Sequence, residues 1–283
     1  MWSIGIYTGA SPYQLAPAKS NPVLTAANVT DIPAEFVADP FMLRRNGRWY
    51  MFFEVMNRET HRGEIALAVS DDAFTWTYRH SVIKEPFHVS YPYVFEWQGE
   101  CYMIPETLGA GAVCVYKADE FPARWSRHRK LIDGSHADPS MLRFGELWWL
   151  FTCSTPYQHD ALRLYFARDL EGPWKEHPRS PIVTNDKCRA RPAGRILKMD
   201  DRVIRFAQDC LPHYGARVRA FEISELTRDA YVETEVKLPI LTPGNDDWNR
   251  SGMHHIDAHQ QSDGSWIACV DGDNRQSAIG NRQ

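Results

Sequence analysis

The chain has 283 residues, 32 basic against 36 acidic side chains, a formal net charge of −4 and 43% hydrophobic content, with no run of like charge. That balance excludes a surface built to track phosphate backbones, so nucleic acid is not an expected partner. The composition suits one large globular domain with a full core, and no apolar run approaches the roughly twenty residues that cross a bilayer.

The first residues, MWSIGIYTGASPY, carry neither the basic region nor the apolar stretch of a secretory leader. The expectation is a cytoplasmic protein without membrane insertion. The segment IGIYTGASPYQLAPAKSNPVL, Ile4 to Leu24, then gives a strand, a turn and a second, less regular strand.

From Val37 the pattern becomes periodic. VADPFMLRRNGRWYMFFE, Val37 to Glu54, is an extended run, a tight turn at Asn46-Gly47 and a second run rich in aromatic and branched residues. That is the pattern of a β-hairpin. GEIALAVSDDAFTW follows with an alternating strand, a turn, and an aromatic that begins a fourth strand. The same order recurs in VSYPYVFEWQGECYMIPE with GAVCVYKADEFPARW, and in HADPSMLRFGELWWLFTC with DALRLYFARDLEGPW. It returns in RARPAGRILKMDDRVIRFAQ with ARVRAFEISELTRDAY, and begins a fifth time in HHIDAHQQSDGSWIACVDG. The turns are placed at Gln98-Gly99, Gly145-Glu146, Asp200-Asp201 and Asp263-Gly264.

Four-stranded antiparallel units repeating at about fifty residues mean propeller blades, because each sheet buries its faces on its neighbours. The fold expected is all-β, a five-bladed β-propeller forming a single domain over 1–283. Its blades lie at 37–84, 89–133, 136–183, 189–241, and 253–272 completed by 1–25. The fifth copy stops before a third strand. The N-terminal segment matches LYFARDLEGPWKEHPRSPIV, Leu164 to Val183, down to the closing Asn-Pro-Val-Leu and Ser-Pro-Ile-Val, and so supplies the missing half. Two β-sandwiches would also yield many short strands, but they leave a half-repeat at each end unexplained. The six cysteines sit mostly in apolar β-like runs without a Cys-x-x-Cys pair, and are read as reduced packing residues.

In a propeller the first strand of each blade lines the central channel, so the blade openings converge at one mouth. The residues brought there would be Asp39, Tyr91, Asp138, Arg191 and His255, with Glu54, Glu106, Gln208, Asp209 and Asp271 at the ends of the second strands. An Asp before Pro also caps turns. Since blade two uses Ser90-Tyr91-Pro92 and blade four Ala190-Arg191-Pro192 at the same place, the turn does not require Asp, and chemistry is the better reason for Asp39 and Asp138.

The Ala-Asp-Pro-Phe and Ala-Asp-Pro-Ser openings resemble those of the five-bladed glycosidase superfamily that includes the family 43 arabinanases and xylosidases and the family 32 invertases. The whole chain, from IGIYTG through YPYVFEWQGE, RPAGR and GMHHIDAH to WIACVDG, resembles the N-terminal domain of plant glucosamine inositolphosphorylceramide transferases and their bacterial relatives. The glycosidase resemblance implies Asp39 as general base or nucleophile and Asp138 as the residue that tunes the acid and binds sugar hydroxyls. Cleaving a glycosidic bond needs two carboxyl groups flanking the anomeric carbon, one ionised and one protonated. The glycosidases place the acid, a Glu, at the opening of the fourth blade, where this chain has CRARPAGR.

Glu106, ending MIPE, is the substitute acid expected here, against the alternative of a solvated or salt-bridged carboxylate at a hairpin end. Glu54 stands at the parallel position in blade one, where it could equally accept hydrogen bonds from a sugar. Arg191, with Arg189 or Arg195, suits an anionic sugar, a sugar phosphate or phosphate, unless it forms a structural ion pair with Asp209 or Glu222. GMHHIDAHQQ offers His255, Asp257 and His259 on one strand face. A transition-metal centre would need a matched partner motif that the chain lacks, so no metal is assigned there. The resemblance instead implies that a blade-five His, His254 or His255, touches a substrate hydroxyl or a structural calcium ion in the channel. Trp97, Trp248, Tyr91 and Tyr93 are the aromatic faces available to a sugar ring, whereas Trp76, Trp125 and Trp174 recur at one blade position and suit inter-blade packing.

The function expected is a carbohydrate-active, glycoside hydrolase-like enzyme that hydrolyses or transfers a glycosyl group, with phosphorolysis among the options. The competing reading is a non-catalytic glycan or glycolipid recognition domain that works beside a partner domain such as a transferase.

Overall fold

The computed structural model describes residues 1–199 and 202–274. Within them the chain forms five antiparallel sheets arranged as the blades of a propeller. Blade I is built from Ala34–Arg45, Arg48–Asn57, Arg62–Ser70 and Thr77–Ile83. Blade II comprises Ser90–Trp97, Glu100–Glu106, Ala112–Glu120 and Arg124–Asp133, and blade III Ala137–Phe144, Leu147–Cys153, Leu162–Ala167 and Lys175–Glu176. The hairpin turns follow from their residues. Asn46-Gly47 and Gln98-Gly99 have φ of 52° and 80° each, the paired left-handed conformation whose twist matches the flanking strands. The Asp200-Asp201 turn lies outside the described residues.

Blade V combines both ends of the chain, in the order Gln14–Pro17, Trp2–Ser11, Trp266–Asp273, Ile256–Gln260. The N-terminal strand pairs from Trp2↔Asp273 to Gly9↔Trp266, which closes the ring and leaves no long open edge between first and last blades. The N-terminal ammonium adds a 2.8 Å ion pair to Asp273.

Blade IV departs from the repeat. Its first strand is split into Arg191–Pro192 and Leu197–Met199, both pairing with Arg202–Asp209, followed by Arg217–Leu226 and Tyr231–Glu235. The gap carries Gly194, at φ 125°, joined by a parallel bridge to Ile256 of blade V. A Cβ there would stand 1.7 Å from the Ile256 carbonyl oxygen, so only glycine permits the contact.

The apolar core lies between blades rather than at one centre. Ile4, Ile6, Met51 and Phe53 fill the seam between blades V and I, Phe206, Val218 and Val270 that between IV and V, and Trp149, Phe151 and Ile223 that between III and IV. A larger cluster including Phe52, Met103, Tyr116 and Trp148 joins blades I, II and III. Inner strands covered on both faces therefore read as continuous apolar runs: every residue of Leu147–Cys153 is buried. Trp76, Trp125 and Trp174 sit within these seams or against them, each donating its indole N–H to a carbonyl three or four residues earlier. All six cysteines are free thiols and five are buried. Among the described residues no helix is long and apolar enough to cross a membrane.

Candidate functional site at the propeller mouth

The first strands of blades I, II and III open with the same device. Asp39, Tyr91 and Asp138 have φ of 51°, 49° and 51°, and the pairing register slips around each, between Ala38 and Phe41, Ser90 and Tyr93, and Ala137 and Ser140. A left-handed residue other than glycine costs on the order of 1 kcal/mol or more and persists where surrounding structure holds it, commonly at functional sites. The second strands bring Glu54 and Glu106 directly opposite Ala38 and Ser90, so each glutamate lies beside a bulge. Asp39, Glu54, Glu106, Asp138 and Asp271 are all buried, and each of the other four acts on the charge of Glu54. The ring does bring Asp39 and Asp138 together.

These carboxyl groups differ in what holds them. Asp138 is gripped by Arg191, whose Nε and Nη2 donate at 2.6 and 3.3 Å, and by Gln208 Nε2 at 2.8 Å. Glu106 accepts the Asp138 amide at 3.2 Å and lies 3.6 Å from Arg191 Nη2. Asp271 accepts the Asp39 amide at 3.0 Å and pairs with His254 Nδ1 at 2.8 Å. Among the described residues, the nitrogens that approach Asp39 Oδ1 are His255 Nδ1 at 3.7 Å and His254 Nδ1 at 4.0 Å, both beyond hydrogen-bond length. Glu54 Oε1 is sealed from solvent without a hydrogen bond.

Their protonation follows. Burial pushes Asp39 up to about 7, with His254 opposing and Asp138 and Asp271 adding to the rise. Burial, then the surrounding carboxylates, raises Glu54 well above the ordinary range. Glu106 is raised too, by burial and Asp138, with Arg191 pulling against them. Burial works against charge on Asp271 and His254 alike, yet their contact outweighs it: the carboxyl is lowered and the imidazole raised, as in an ion pair.

Several residues singled out in the sequence take other positions. Arg191 is paired with Asp138, not with Asp209 or Glu222, and its Nη1 reaches the Pro156 carbonyl at 2.9 Å and His159 Nδ1 at 3.0 Å. Asp209 instead pairs with Arg217 and Arg219, and Glu222 with Arg202 and the Tyr13 hydroxyl. Arg189 pairs with Glu233, and Arg195 with Asp257 and two backbone carbonyls. Each arginine of CRARPAGR thus already has acceptors.

Asp257 is fully buried and accepts from Arg195 Nε at 2.5 Å, His259 Nε2 at 2.9 Å and the Met42 amide at 2.5 Å, contacts that hold it well below the ordinary carboxylate range against the effect of burial. It braces blade V against blade I. His255 precedes the strand that carries Asp257 and His259, so the three do not form one face of it. Its ring meets Phe41 and Tyr91 edge-on, at 4.5 and 5.3 Å, and all three are fully buried beside Asp39. Burial lowers the pKa of His255 to about 4. Tyr91 is fully buried, its hydroxyl 2.7 Å from Ser140 Oγ and accepting the Gly194 amide at 2.5 Å.

Trp248 is 5% exposed, packed in the seam between blades IV and V against Gly5 and Gly272, and presents no open face to a sugar. Trp97 lies against Arg143 and Trp148, and the Tyr93 hydroxyl donates to the Met141 carbonyl. Mouth residues that the sequence did not single out include His88, His159 and Tyr214, whose ring lies 5.1 Å from the Arg191 guanidinium. All three stand in connections between strands, which carry no periodic signal; the available clue was that such connections rim the mouth.

One ligand atom each from Asp39, His254 and Asp271 lies within 4.8 Å of the others. Calcium takes six to eight oxygen ligands. Asp271 and His254 already satisfy one another and the Asp39 amide, and the channel around His255 is walled by Phe41 and Tyr91. The residues present do not fit the calcium ion that the glycosidase resemblance implies.

Solved structures with the same fold include a family 117 glycoside hydrolase of Zobellia galactanivorans, with TM-score 0.60 and 15% identity over 98% of this chain and 93% of that one. An α-L-arabinanase of Cellvibrio cellulosa gives TM-score 0.60 and 16% identity over 85% and 88%. At such identity the likeness shows the fold alone. In sequence, the chain is 35% identical over 306 aligned positions to the glucosamine inositolphosphorylceramide transferase 1 of Oryza sativa subsp. japonica, covering all of this chain and 41% of that protein. The chain therefore spans about two fifths of the length of the relatives it matches. The profile described as "Glucosamine inositolphosphorylceramide transferase 1, N-terminal" matches residues 1–273, and the chain belongs to that family, on a glycoside hydrolase-like five-bladed propeller.

Proposed function

We propose that the propeller mouth processes a glycosyl group, by hydrolysis or transfer, with Asp39 as general base or nucleophile and Asp138 as the residue that tunes the site. The observation that carries this reading is the state of Asp39. It is a buried carboxyl beyond hydrogen-bond reach of either neighbouring imidazole, pushed to about 7 chiefly by burial, beside two glutamates that burial also raises well above the ordinary range. A group that only binds sugar hydroxyls has no need of a buried, half-protonated carboxyl, which costs stability. A base poised near neutrality beside a protonated acid is what glycosidic cleavage requires. The acid is one of the two buried glutamates, Glu106 or Glu54.

A carboxyl-rich mouth whose arginines are engaged with acceptors favours a neutral or cationic sugar over an anionic one. The relatives are named for glucosamine and inositolphosphorylceramide, and the amine of glucosamine would suit this field. Aminosugar glycosides are the first substrates to try. A second reading has its own support: the relatives extend far beyond this chain, as expected if the propeller recognises a glycan for a transferase domain elsewhere in the protein.

The test is a panel of aryl glycosides and glucosamine-containing oligosaccharides, with and without phosphate, comparing the wild type with Asp39→Asn. Turnover lost in the variant supports the proposal. Glycan binding without turnover in either protein favours recognition, and equal turnover in both removes Asp39 from the chemistry.

A further inference from the structure

Two buried glutamates compete for the acid, and their surroundings separate them. Glu106 Oε2 faces a permanent cation, Arg191 Nη2 at 3.6 Å, and accepts the Asp138 amide. Both contacts favour its ionised form. Among the described residues, no lysine or arginine pairs with Glu54. The groups acting on it are the carboxyls of Asp39 in the first strand of its own blade, Glu106 in blade II, Asp138 in blade III and Asp271 in blade V. From the connection between blades I and II it meets one further titratable group, His88, whose Nε2 lies 3.4 Å from Oε1.

The protonation of His88 is set by the backbone. Gly63 N–H donates to His88 Nδ1 at 2.8 Å, so Nδ1 is the acceptor and the ring proton sits on Nε2, directed at Glu54. With Nδ1 occupied by an amide, the ring is kept neutral. Burial, followed by the distant Arg191, also depresses its pKa. Gly63 is required for this packing. A Cβ on it would stand 2.4 Å from the Val89 carbonyl, 2.7 Å from Glu54 Oε1 and 2.9 Å from His88 Cε1. The glycine, the imidazole and the carboxyl form one fitted unit.

We propose that Glu54, rather than Glu106, is the proton donor to the departing glycosidic oxygen, and that His88 is the positioning residue that packs against its carboxyl. The inference rests on the glycosyl-processing reading above. His88 Nε2 stands 3.4 Å from Oε1 without forming a hydrogen bond in the resting site, and Oε1 is sealed from solvent with no other partner, so the carboxyl keeps its proton. As the bond from C1 to the leaving oxygen breaks, its electron pair takes that proton and the leaving group departs as an alcohol. In hydrolysis Asp39 removes a proton from the attacking water as the new C1–O bond forms. Water is added across the bond, Glu54 is left ionised and Asp39 protonated. Exchange with solvent through the mouth restores both. Once Glu54 is ionised, a neutral His88 with its proton on Nε2 is placed to steady it more weakly than a cation would, so the carboxyl remains ready to take the proton back.

The experiment compares Glu54→Gln with Glu106→Gln on glycosides that differ in their leaving group. A missing acid costs about 10²–10⁴-fold where the leaving group needs a proton. Glu54→Gln should lose at least about 100-fold on an alkyl glycoside and less than about tenfold on the activated dinitrophenyl glycoside, since the latter needs no proton. Glu106→Gln should show no such dependence. His88→Leu should lower kcat roughly tenfold with little change in KM and shift the alkaline limb of the pH profile, while His88→Gln, whose amide retains a donor near the Nε2 position, should recover both. A second measurement needs no turnover. In protein labelled with carbon-13 at the glutamate carboxyls and assigned with the two Gln variants, Glu54 should titrate at higher pH than Glu106. Glu54 titrating below Glu106, or leaving-group dependence in Glu106→Gln alone, overturns this assignment while leaving the glycosyl-processing reading intact. Wild type inactive on the whole panel overturns that reading, and the donor role with it.

Discussion

Replacing Asp39 by Asn should make the protein more stable in mild alkali, and the gain should vanish in acid. The Asp39 carboxyl sits at about 7 in the folded chain against an ordinary value of 3.8, chiefly because burial disfavours its charge. The folded state therefore binds this proton more tightly than the unfolded state does. The contribution is fully present below about pH 4 and is lost as pH rises through 7. A displacement of about three units is worth about 4 kcal/mol at pH 8. Part of the Asp39 penalty is shared with Asp138 and Asp271, which relax when its charge is removed, so about 2 kcal/mol is expected in practice, or a rise in Tm of roughly 4 °C or more for a chain of this size. The assay is chemical denaturation of wild type and Asp39→Asn at pH 5 and pH 8. The Asp39 amide keeps its bond to Asp271 in both proteins, so the comparison isolates the side chain. A difference that does not change with pH, or a variant less stable than wild type at pH 8, would refute the argument that this carboxyl is held against its own stability.

Arg191→Ala leaves Asp138, 2% exposed, without its cation and should cost about 3–5 kcal/mol in thermal or chemical unfolding, with Arg191→Ala/Asp138→Asn recovering much of the loss. A cost below about 1 kcal/mol would mean that the pair contributes little. Tyr91→Phe removes the hydroxyl that meets Ser140 and Gly194 and should cost about 1–3 kcal/mol without altering glycan affinity, because the side chain is fully buried. Affinity measured by calorimetry that falls in step with the hydroxyl would place Tyr91 in the binding surface. Trp248→Ala should destabilise by about 3–5 kcal/mol, with glycan affinity unchanged in the folded fraction, since the ring fills the seam between blades IV and V.

The architecture was legible in the sequence because its determinants are local. A hairpin turn such as Asn46-Gly47 needs only its own two residues to adopt left-handed conformations, and a strand sandwiched between blades announces itself as an apolar run such as Leu147–Cys153. Repeated five times, with half a unit at each terminus, such signals specify a ring, and the ring in turn implies a common mouth. The irregular fourth blade escaped notice because its break depends on Gly194 meeting Ile256 of the next blade, a contact that composition does not announce.

The condition of each mouth residue was decided by the tertiary structure alone. Asp39 and Asp138 share the same motif and backbone conformation, yet Arg191 from the next blade grips one while the other is left with two imidazoles beyond bonding distance. Glu54 and Glu106 occupy equivalent strand ends, but one faces a guanidinium and the other a neutral imidazole whose tautomer is set by the Gly63 amide. His255, Tyr91, Asp257 and Trp248 have side chains suited to a binding surface and are instead buried as packing or bracing groups. Sequence periodicity reports on neighbours along the chain. Protonation and hydrogen bonding depend on desolvation and on partners from other blades, and those are determined only when the ring closes.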